Sequence, residues 1–492
     1  MVGAQTTKNS TQTMPVLEQA PQLFKWSTVS LAEVLATGSR LEASVFNIEG
    51  RQARETLQRC KWQQKSITGE NGISTAYRPT ICTRIFVGCE NGIPMYTPSQ
   101  ISEINPRPTK YLSKLTKTRD FDLWYMKTGE IALTCSGTIG NVTYVSRTLS
   151  GKCFSQNLIR IIPLEYAGYL YAYLASKTGK AILTTNNYGA VIQHIDPEHL
   201  DNIPIPDASP IIKQQIHDLI MLSFRLRDES NVLMNEAQAL LKSALKLPDI
   251  VDIKQNYFDK SVDLSNYSVK LSSLDGRMEA SYHLPIVDSI QRLIAISAKE
   301  VLTVGDSRVS KAIILPGRFK RVYVEEGQGV TFFGGKQILE LDPSTKKYLS
   351  LTHHAARIKG QLTLQENMTL ITSSGTIGKV NIVPKHWDGW TANQHIIRVV
   401  PVDHSIAGYV YAWLASDYAY PLIHRFTYGA VVDEIDEHHV AAVSFPLLHD
   451  ADIQKTINEK VLDANRKRFE AYELEQKALK IMDEKVIFAE AI

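Results

Sequence analysis

The sequence predicts an α+β protein: two tandem mixed α/β modules joined by two long antiparallel helices that form a coiled coil, with approximate two-fold symmetry overall. Three observations carry that expectation. The chain repeats itself at a near-constant offset, each copy is followed by a long amphipathic helix, and the blocks in between read as short strands around one aromatic helix.

The repeat is seen first in "SGTIG" at 136–140, which returns at 374–378. It extends both ways. "RLEAS" at 40–44 matches "RMEAS" at 277–281, "RIFV" at 84–87 matches "RVYV" at 321–324, and "QNLIRIIP" at 156–163 matches "QHIIRVVP" at 394–401. "AGYLYAYLAS" (167–176) and "AGYVYAWLAS" (407–416) share eight of ten residues, and "YGAVIQHID" at 188 is answered by "YGAVVDEID" at 428. A tandem duplication of this kind divides the chain into a flexible leader (1–22), a first module (23–207), a long helix (208–247), a linker (248–270), a second module (271–447) and a second long helix (448–492).

Within each block, "RIFVGCENGIPMYT", "EIALTCSGTIGNVTYV" and "LIRIIPL" read as strands interrupted at Gly and Pro. "AGYLYAYLASKTGKAIL" reads as a helix whose Tyr169 and Tyr173, like Tyr409 and Trp413 in the second copy, are expected in the core. After the first block, Ser209 suits a helix cap, Pro210 a first turn, and Pro248 the far side of its end. Ile212, Ile216, Leu219, Leu226, Leu233, Leu240 and Leu241 mark an apolar stripe between them, and Ile453, Ile457, Val461, Leu474, Leu479 and Met482 mark its counterpart. A helix of about 36 residues is roughly 54 Å long, and so long a stripe needs another helix over it. The two helices cover each other most economically when antiparallel, which carries the modules to opposite ends of a rod.

Composition limits the function classes. The 492 residues are 44% hydrophobic and 21% charged, as in folded chains of two or more domains, and no apolar run approaches the roughly 20 residues needed to cross a bilayer. A cytoplasmic protein is expected. Five cysteines, all in the first third and without a CxxC pair, argue against a disulfide framework and for buried free thiols. A zinc site from Cys82, Cys89, Cys135 and Cys153 finds Phe319, Glu326, Ser373 and Thr391 at the matching places of the second copy.

No independent catalytic centre is legible. "GTIGK" at 375–379 is too short for a phosphate-binding loop, no GxGxxG follows a strand, and the Asn-Pro-Pro-aromatic signature of amino-methyltransferases is missing. Asp249, Asp252 and Lys254 make a nuclease-like string in a linker that the other copy lacks. The adjacent pairs His353-His354 and His438-His439 point different ways on a strand or a helix, and so make poor joint ligands. No metal and no bound cofactor are expected.

The net charge of +3 does not by itself indicate nucleic acid, so that expectation rests on two loops that differ between the copies. "NPRPTKYLSKLTKTRD" holds Arg107, Lys110, Lys114, Lys117 and Arg119, and "DPSTKKYLSLTHHAARIKG" holds Lys346, Lys347, His353, His354, Arg357 and Lys359. Cations interleaved with Tyr, Thr and Ser suit phosphate and base-edge contacts. Ser136, Thr138, Ser374 and Thr376 of the repeated turn, with Tyr188 and Tyr428, are candidate backbone contacts, while Gly137, Gly140, Gly375 and Gly378 permit positive φ. Two related but unlike modules on a rigid rod would read two short sequences separated by an unread gap.

In its order of motifs the chain resembles the specificity subunit of type I restriction-modification enzymes. The resemblance spans nearly the whole chain: the G-x-P-x-Y strand at Gly92–Tyr96, the "SGTIG" turn, the R-x-x-P strand end, the aromatic helix, "YGA", "IPIP" at 203–206, and a long helix after each module. The second copy departs at Thr331 in place of Pro94 and at "VSFPLL" in place of "NIPIPD". The resemblance implies two target-recognition domains in a non-catalytic subunit that binds a bipartite double-stranded DNA site. It also implies recruitment of two methyltransferase subunits that use S-adenosylmethionine, and in some complexes an ATP-driven restriction subunit. The competing reading is a scaffold with two protein-binding modules on a helical rod, without salt-sensitive DNA affinity.

Overall fold

The computed structural model describes residues 28–36, 46–116, 120–185, 194–250, 267–429 and 431–490. The leader, the first "RLEAS", Lys117, Arg119, Tyr188 and linker residues 251–266 lie outside the described residues.

The two halves share one topology. In the first, helix Ile48–Arg59 leads into strand Gln64–Ser66, which pairs antiparallel with Pro204–Pro206, the "IPIP" strand. In the second, helix Pro285–Ser297 leads into Glu300–Thr303, which pairs with Ser444–Leu447. Each half is thus closed by its own first and last strands, just before a long helix begins. Between them lies a four-stranded antiparallel sheet, ordered Ser74–Tyr77, Leu158–Pro163, Ile131–Thr134, Val142–Tyr144 in the first half. The second half repeats that order with Ser310–Ile314, Ile396–Pro401, Thr369–Thr372 and Val380–Ile382. Ile131–Thr134 and Thr369–Thr372 are buried at every position, as expected of a strand covered on both faces. A smaller sheet projects from each: Lys110–Ser113, Gly92–Tyr96 and Cys153–Phe154 in one, and Tyr323–Val324, Lys347–Ser350, Gly329–Phe333 and Thr391–Ala392 in the other. "RIFV" forms only an isolated bridge, Phe86 to Leu112, where "RVYV" forms a strand.

The motifs read from the sequence are mostly joints. The R-x-x-P arginines are fully buried and clamp main-chain carbonyls: Arg160 donates to Leu158 O at 2.6 Å and Phe154 O at 3.3 Å, and Arg398 to Asn393 O at 3.0 Å. Burial pulls the Arg398 guanidinium down to about 9. The aromatic helix ties to the closing strand, with the Tyr169 and Tyr173 hydroxyls donating to Pro206 O and Pro204 O. Tyr409 and Trp413 donate to Pro446 O and Ser444 O at 2.8 and 2.7 Å. All four are core, as expected.

The long helices run Pro210–Ala244 and Ala451–Ile481. Ser209 occupies the cap position of the first, but its side chain makes no capping bond, whereas Asp450 accepts from Asp452 N and Ile453 N. They pack antiparallel: Lys460 pairs with Glu236 at 2.7 Å, Lys467 with Glu229 at 2.8 Å, and Ser223 Oγ donates to Ala471 O at 2.7 Å. The inward positions alternate four and three residues apart. Ile216, Ile220, Ser223, Arg227, Ser230, Met234, Ala237 and Leu241 face Ile457, Val461, Ala464, Arg468, Ala471, Glu475, Ala478 and Met482. This corrects the expected stripe: Leu226, Leu233, Leu474 and Leu479 are only half-buried, on the flanks of the seam. Small Ser and Ala at the contact bring the helices close, and such a seam does not register as apolar.

Each rod helix serves both halves. Ile216, Ile220 and Phe224 join the first half's core together with Ala478, Ile481, Met482, Val486 and Ile487. Met234, Ala237, Leu241 and Leu245 join the second half's core with Ile457, Val461 and Ala464.

The expectation of modules held apart at opposite ends is corrected as well. Ile104 N–H donates to Leu339 O at 2.9 Å, Glu103 and Glu340 face each other in an isolated bridge, Arg107 pairs with Asp417 at 2.7 Å, and Lys177 pairs with Glu326 at 2.6 Å. The halves meet because the segments around Glu103 and Glu340 reach over the middle of the rod, where Asn231 Nδ2 holds Ile104 O at 2.8 Å. Burial raises both facing carboxyls, Glu340 to about 7.

Candidate nucleic-acid interface

The repeated "SGTIG" is a tight turn between an inner and an edge strand of each four-stranded sheet, with Gly137, Gly140, Gly375 and Gly378 all at positive φ, between 75° and 89°. Any other residue there is strained. The turn packs inward through Ile139 and Ile377 and leaves Thr138 and Thr376 exposed. Ser136 bridges to His194 and Ser374 to Glu434, so each turn is pinned to the segment that follows "YGA". The Tyr428 main chain pairs with Glu434 in the same segment, and its ring is partly exposed.

The basic loops are more engaged than their sequence suggests. Arg107 is in its inter-module ion pair, and Lys110 lies 5.1 Å over the Phe86 ring. Lys346 pairs with Asp342 and lies 5.0 Å over Trp390, and Lys347 lies 4.7 Å over Tyr323. His354 accepts from Val322 N at 3.1 Å, and Arg357 donates to Gly317 O at 3.1 Å while lying 5.0 Å over Phe319. Lys114 and Lys359 are exposed and have no ion-pair partner among the described residues.

Folding adds residues that the loops alone did not single out. The pairing of Tyr323–Val324 with Lys347–Ser350, together with the Arg357–Gly317 bond, sets "GRFKR" (317–321) beside the second loop. Arg318 there is paired with Glu434 at 3.2 Å and Arg321 donates to Gln394 Oε1 at 2.7 Å, which leaves exposed Lys320 as the cation added near the second loop. The run "RFKR" was the signal available for it. At the matching place in the first half stands "ICTRI", with exposed Ile81 and Ile85, and with Leu115 (80% exposed) on the neighbouring loop. Cations suit phosphates, and exposed aliphatic groups suit thymine methyls in a major groove.

The other candidates stay apart or are used internally. Cys135 and Cys153 are buried, with thiols pushed up to about 11, while Cys60 and Cys82 are half-buried and Cys89 is exposed, so the expectation of buried thiols holds for two of five. Among the described residues the one group with metal-ligand spacing is Asp196, Glu198 and His199. Its members serve a turn: Asp196 N donates to His199 Nδ1 at 3.1 Å, and the Asp196 carboxylate holds Arg78. Asp249 of the nuclease-like string is paired with Lys242, while Asp252 and Lys254 lie outside the described residues.

The family model for the type I restriction modification DNA specificity domain matches residues 89–223. Over that stretch the chain is similar to a type I DNA specificity domain. The match takes in the first basic loop, and with it "SGTIG", the aromatic helix and the start of the first rod helix, the last three of which the second half repeats. No curated protein matches the sequence. Similar solved structures include the S subunit of a type I restriction-modification system from M. genitalium, at 12% identity over 87% of this chain and 96% of that one, with a TM-score of 0.30. The HsdS subunit from Thermoanaerobacter tengcongensis is 14% identical over 88% and 95%, with a TM-score of 0.27. A chain from work on the assembly and conformational transition of the type I R-M system is 14% identical over 87% and 95%, with a TM-score of 0.26. Such values are too low to equate individual residues. Among the described residues no helix is long and apolar enough to cross a membrane.

Proposed function

We propose that this chain is a non-catalytic subunit that gives a type I-like restriction-modification or phage-defence methylation complex its DNA sequence specificity. Its two halves would read the two half-sites of a bipartite double-stranded target. The observation that carries the reading is the antiparallel rod, which relates two modules of one topology by an approximate two-fold axis while their projecting loops differ. Lys114, Lys320 and Lys359, with Thr138 and Thr376, are the proposed phosphate contacts. Arg107, Lys110, Ser136, Lys346, Lys347, His354, Arg357, Ser374 and Tyr428 would act mainly by shaping the loops that carry them; Lys117, Arg119 and Tyr188 complete the proposed set.

Catalysis would belong to partners: two methyltransferase subunits using S-adenosylmethionine, seated on the outward faces of the rod, and in some complexes a restriction subunit. Long-read methylation sequencing of host DNA with and without the gene tests this. Loss of one split motif, two short sequences around a fixed gap, is the expected result. Survival of every modified motif in a host that expresses the chain would overturn it.

A further inference from the structure

The rod seam contains a three-membered polar cluster in the first half. Glu475 accepts hydrogen bonds from the Tyr171 hydroxyl and from Arg227, and the Arg227 guanidinium lies 4.3 Å over Phe224. Across the two-fold axis the two rod helices exchange roles, so the repeat places Arg468 where Arg227 stands, Tyr411 where Tyr171 stands, and Met234 where Glu475 stands. Both donors are kept and the acceptor is gone.

Arg468 is only 4% exposed, and no carboxylate lies within ion-pair distance of it among the described residues. Its contacts are long: Nε to Ser230 Oγ and Nη1 to Asn381 Oδ1, each 3.4 Å. Arg468, Tyr411 and Met234 line a cavity of about 340 Å³, against about 190 Å³ beside Arg227, where Glu475 occupies the equivalent place. The two carboxylates on its wall are committed elsewhere, Glu103 to Lys379 at 3.6 Å and Asp417 to Arg107 at 2.7 Å. A buried cation without a counter-charge is unfavourable, and a cavity beside it leaves room to supply one.

We propose that this cavity binds a small oxyanion of the carboxylate or phosphate type, held by the Arg468 guanidinium and the Tyr411 hydroxyl in the place that Glu475 fills in the other half. The ligand would complete the second cluster as the side chain completes the first.

Thermal unfolding and isothermal titration of the full chain test this with sodium phosphate and sodium acetate, each against sodium chloride at equal ionic strength. The expected result is a saturable rise in melting temperature and a stoichiometry near one per chain, with the more effective probe identifying the oxyanion. Met234→Glu restores the missing acceptor, so that variant should melt no lower than the wild type in chloride and should lose the response to both probes. Tyr411→Phe should weaken binding several-fold without abolishing it. An equal response in chloride, a response that survives in Met234→Glu, or a lower melting temperature for Met234→Glu in chloride would each overturn the proposal.

Discussion

The two joints between module and rod occupy matching positions and are made of different chemistry. In the first half, rod residue Asp228 accepts from Ser146 Oγ at 2.8 Å, Arg147 N at 3.0 Å, and Thr148 N and Oγ1 at 2.9 and 2.6 Å. At the equivalent places of the second half stand Phe469 and His386, and the imidazole stacks 4.0 Å from the Tyr472 ring, nearly parallel to it. One joint is a carboxylate gripping a turn, the other an aromatic stack. A neighbouring contact keeps one role with a changed acceptor: His217 Nδ1 takes the Gly168 N–H at 3.1 Å, and Asn458 Oδ1 takes the Gly408 N–H at 2.7 Å. Duplication has preserved where the backbones meet while leaving each contact free to find its own chemistry.

That contrast can be broken most strongly at the seam. Arg227→Met strands the buried Glu475 carboxylate and should cost about 3–5 kcal/mol in urea unfolding. Arg468→Met strands no carboxylate and should cost clearly less; equal losses would mean that the two arginines are not electrostatically different. Acid should separate the joints next. Burial lowers His386 to about 4 from an ordinary value of about 6.5, so its contribution is fully present above pH 6.5 and is lost as pH falls from 6.5 towards 4. Over that window the second joint should weaken by up to about 3 kcal/mol. Hydrogen exchange resolved by segment should show residues 380–390 opening before 142–150, and His386→Phe should flatten the profile.

The close helix crossings come third. A Cβ on Gly408 would lie 2.4 Å from the Asn458 main-chain oxygen, and one on Gly168 would lie 2.8 Å from the His217 main chain. Gly408→Ala and Gly168→Ala should each cost about 1–3 kcal/mol by overpacking, the first more than the second, as thermal melts would register. The smallest effect concerns the loops. Lys114→Ala and Lys359→Ala should leave folding unchanged while each reduces the slope of log affinity against log salt by about 0.9, measured on DNA that contains the methylated motif. An unchanged slope removes that lysine from the phosphate contacts.

Much of the architecture was legible because it is written twice. The offset of "SGTIG", "AGY" and "YGA" disclosed two copies before any element was assigned, and Pro210 and Pro248 bracketed a helix whose length demanded a partner. The seam was harder to read, because hydrophobic periodicity weights Leu226 and Leu233 above Ser223, Ser230, Ala464 and Ala471, and it is the small residues that let the helices approach. Contact between the modules was not legible either: Arg107 looks like a free cation in its loop, and only the fold supplies Asp417. Likewise "RFKR" gains Arg357 as a neighbour only through strand pairing and the bond to Gly317.

The sharing of rod residues between cores also has a meaning in time. Cys60 Sγ donates to Val486 O at 3.0 Å, Lys61 N to Ala489 O at 2.8 Å, and Trp62 Nε1 to Lys485 O at 3.0 Å. On a ribosome adding about 5–20 residues per second, more than 400 residues separate these partners, so the first half must wait on the order of tens of seconds for its last core residues. Until Ala478–Ile487 emerge, Ile216, Ile220 and Phe224 have only the first half's own residues, such as Tyr144 and Tyr171, over them. The first half to be made is therefore among the last parts of the molecule to be finished, and its exposed seam is where a chaperone would be needed longest.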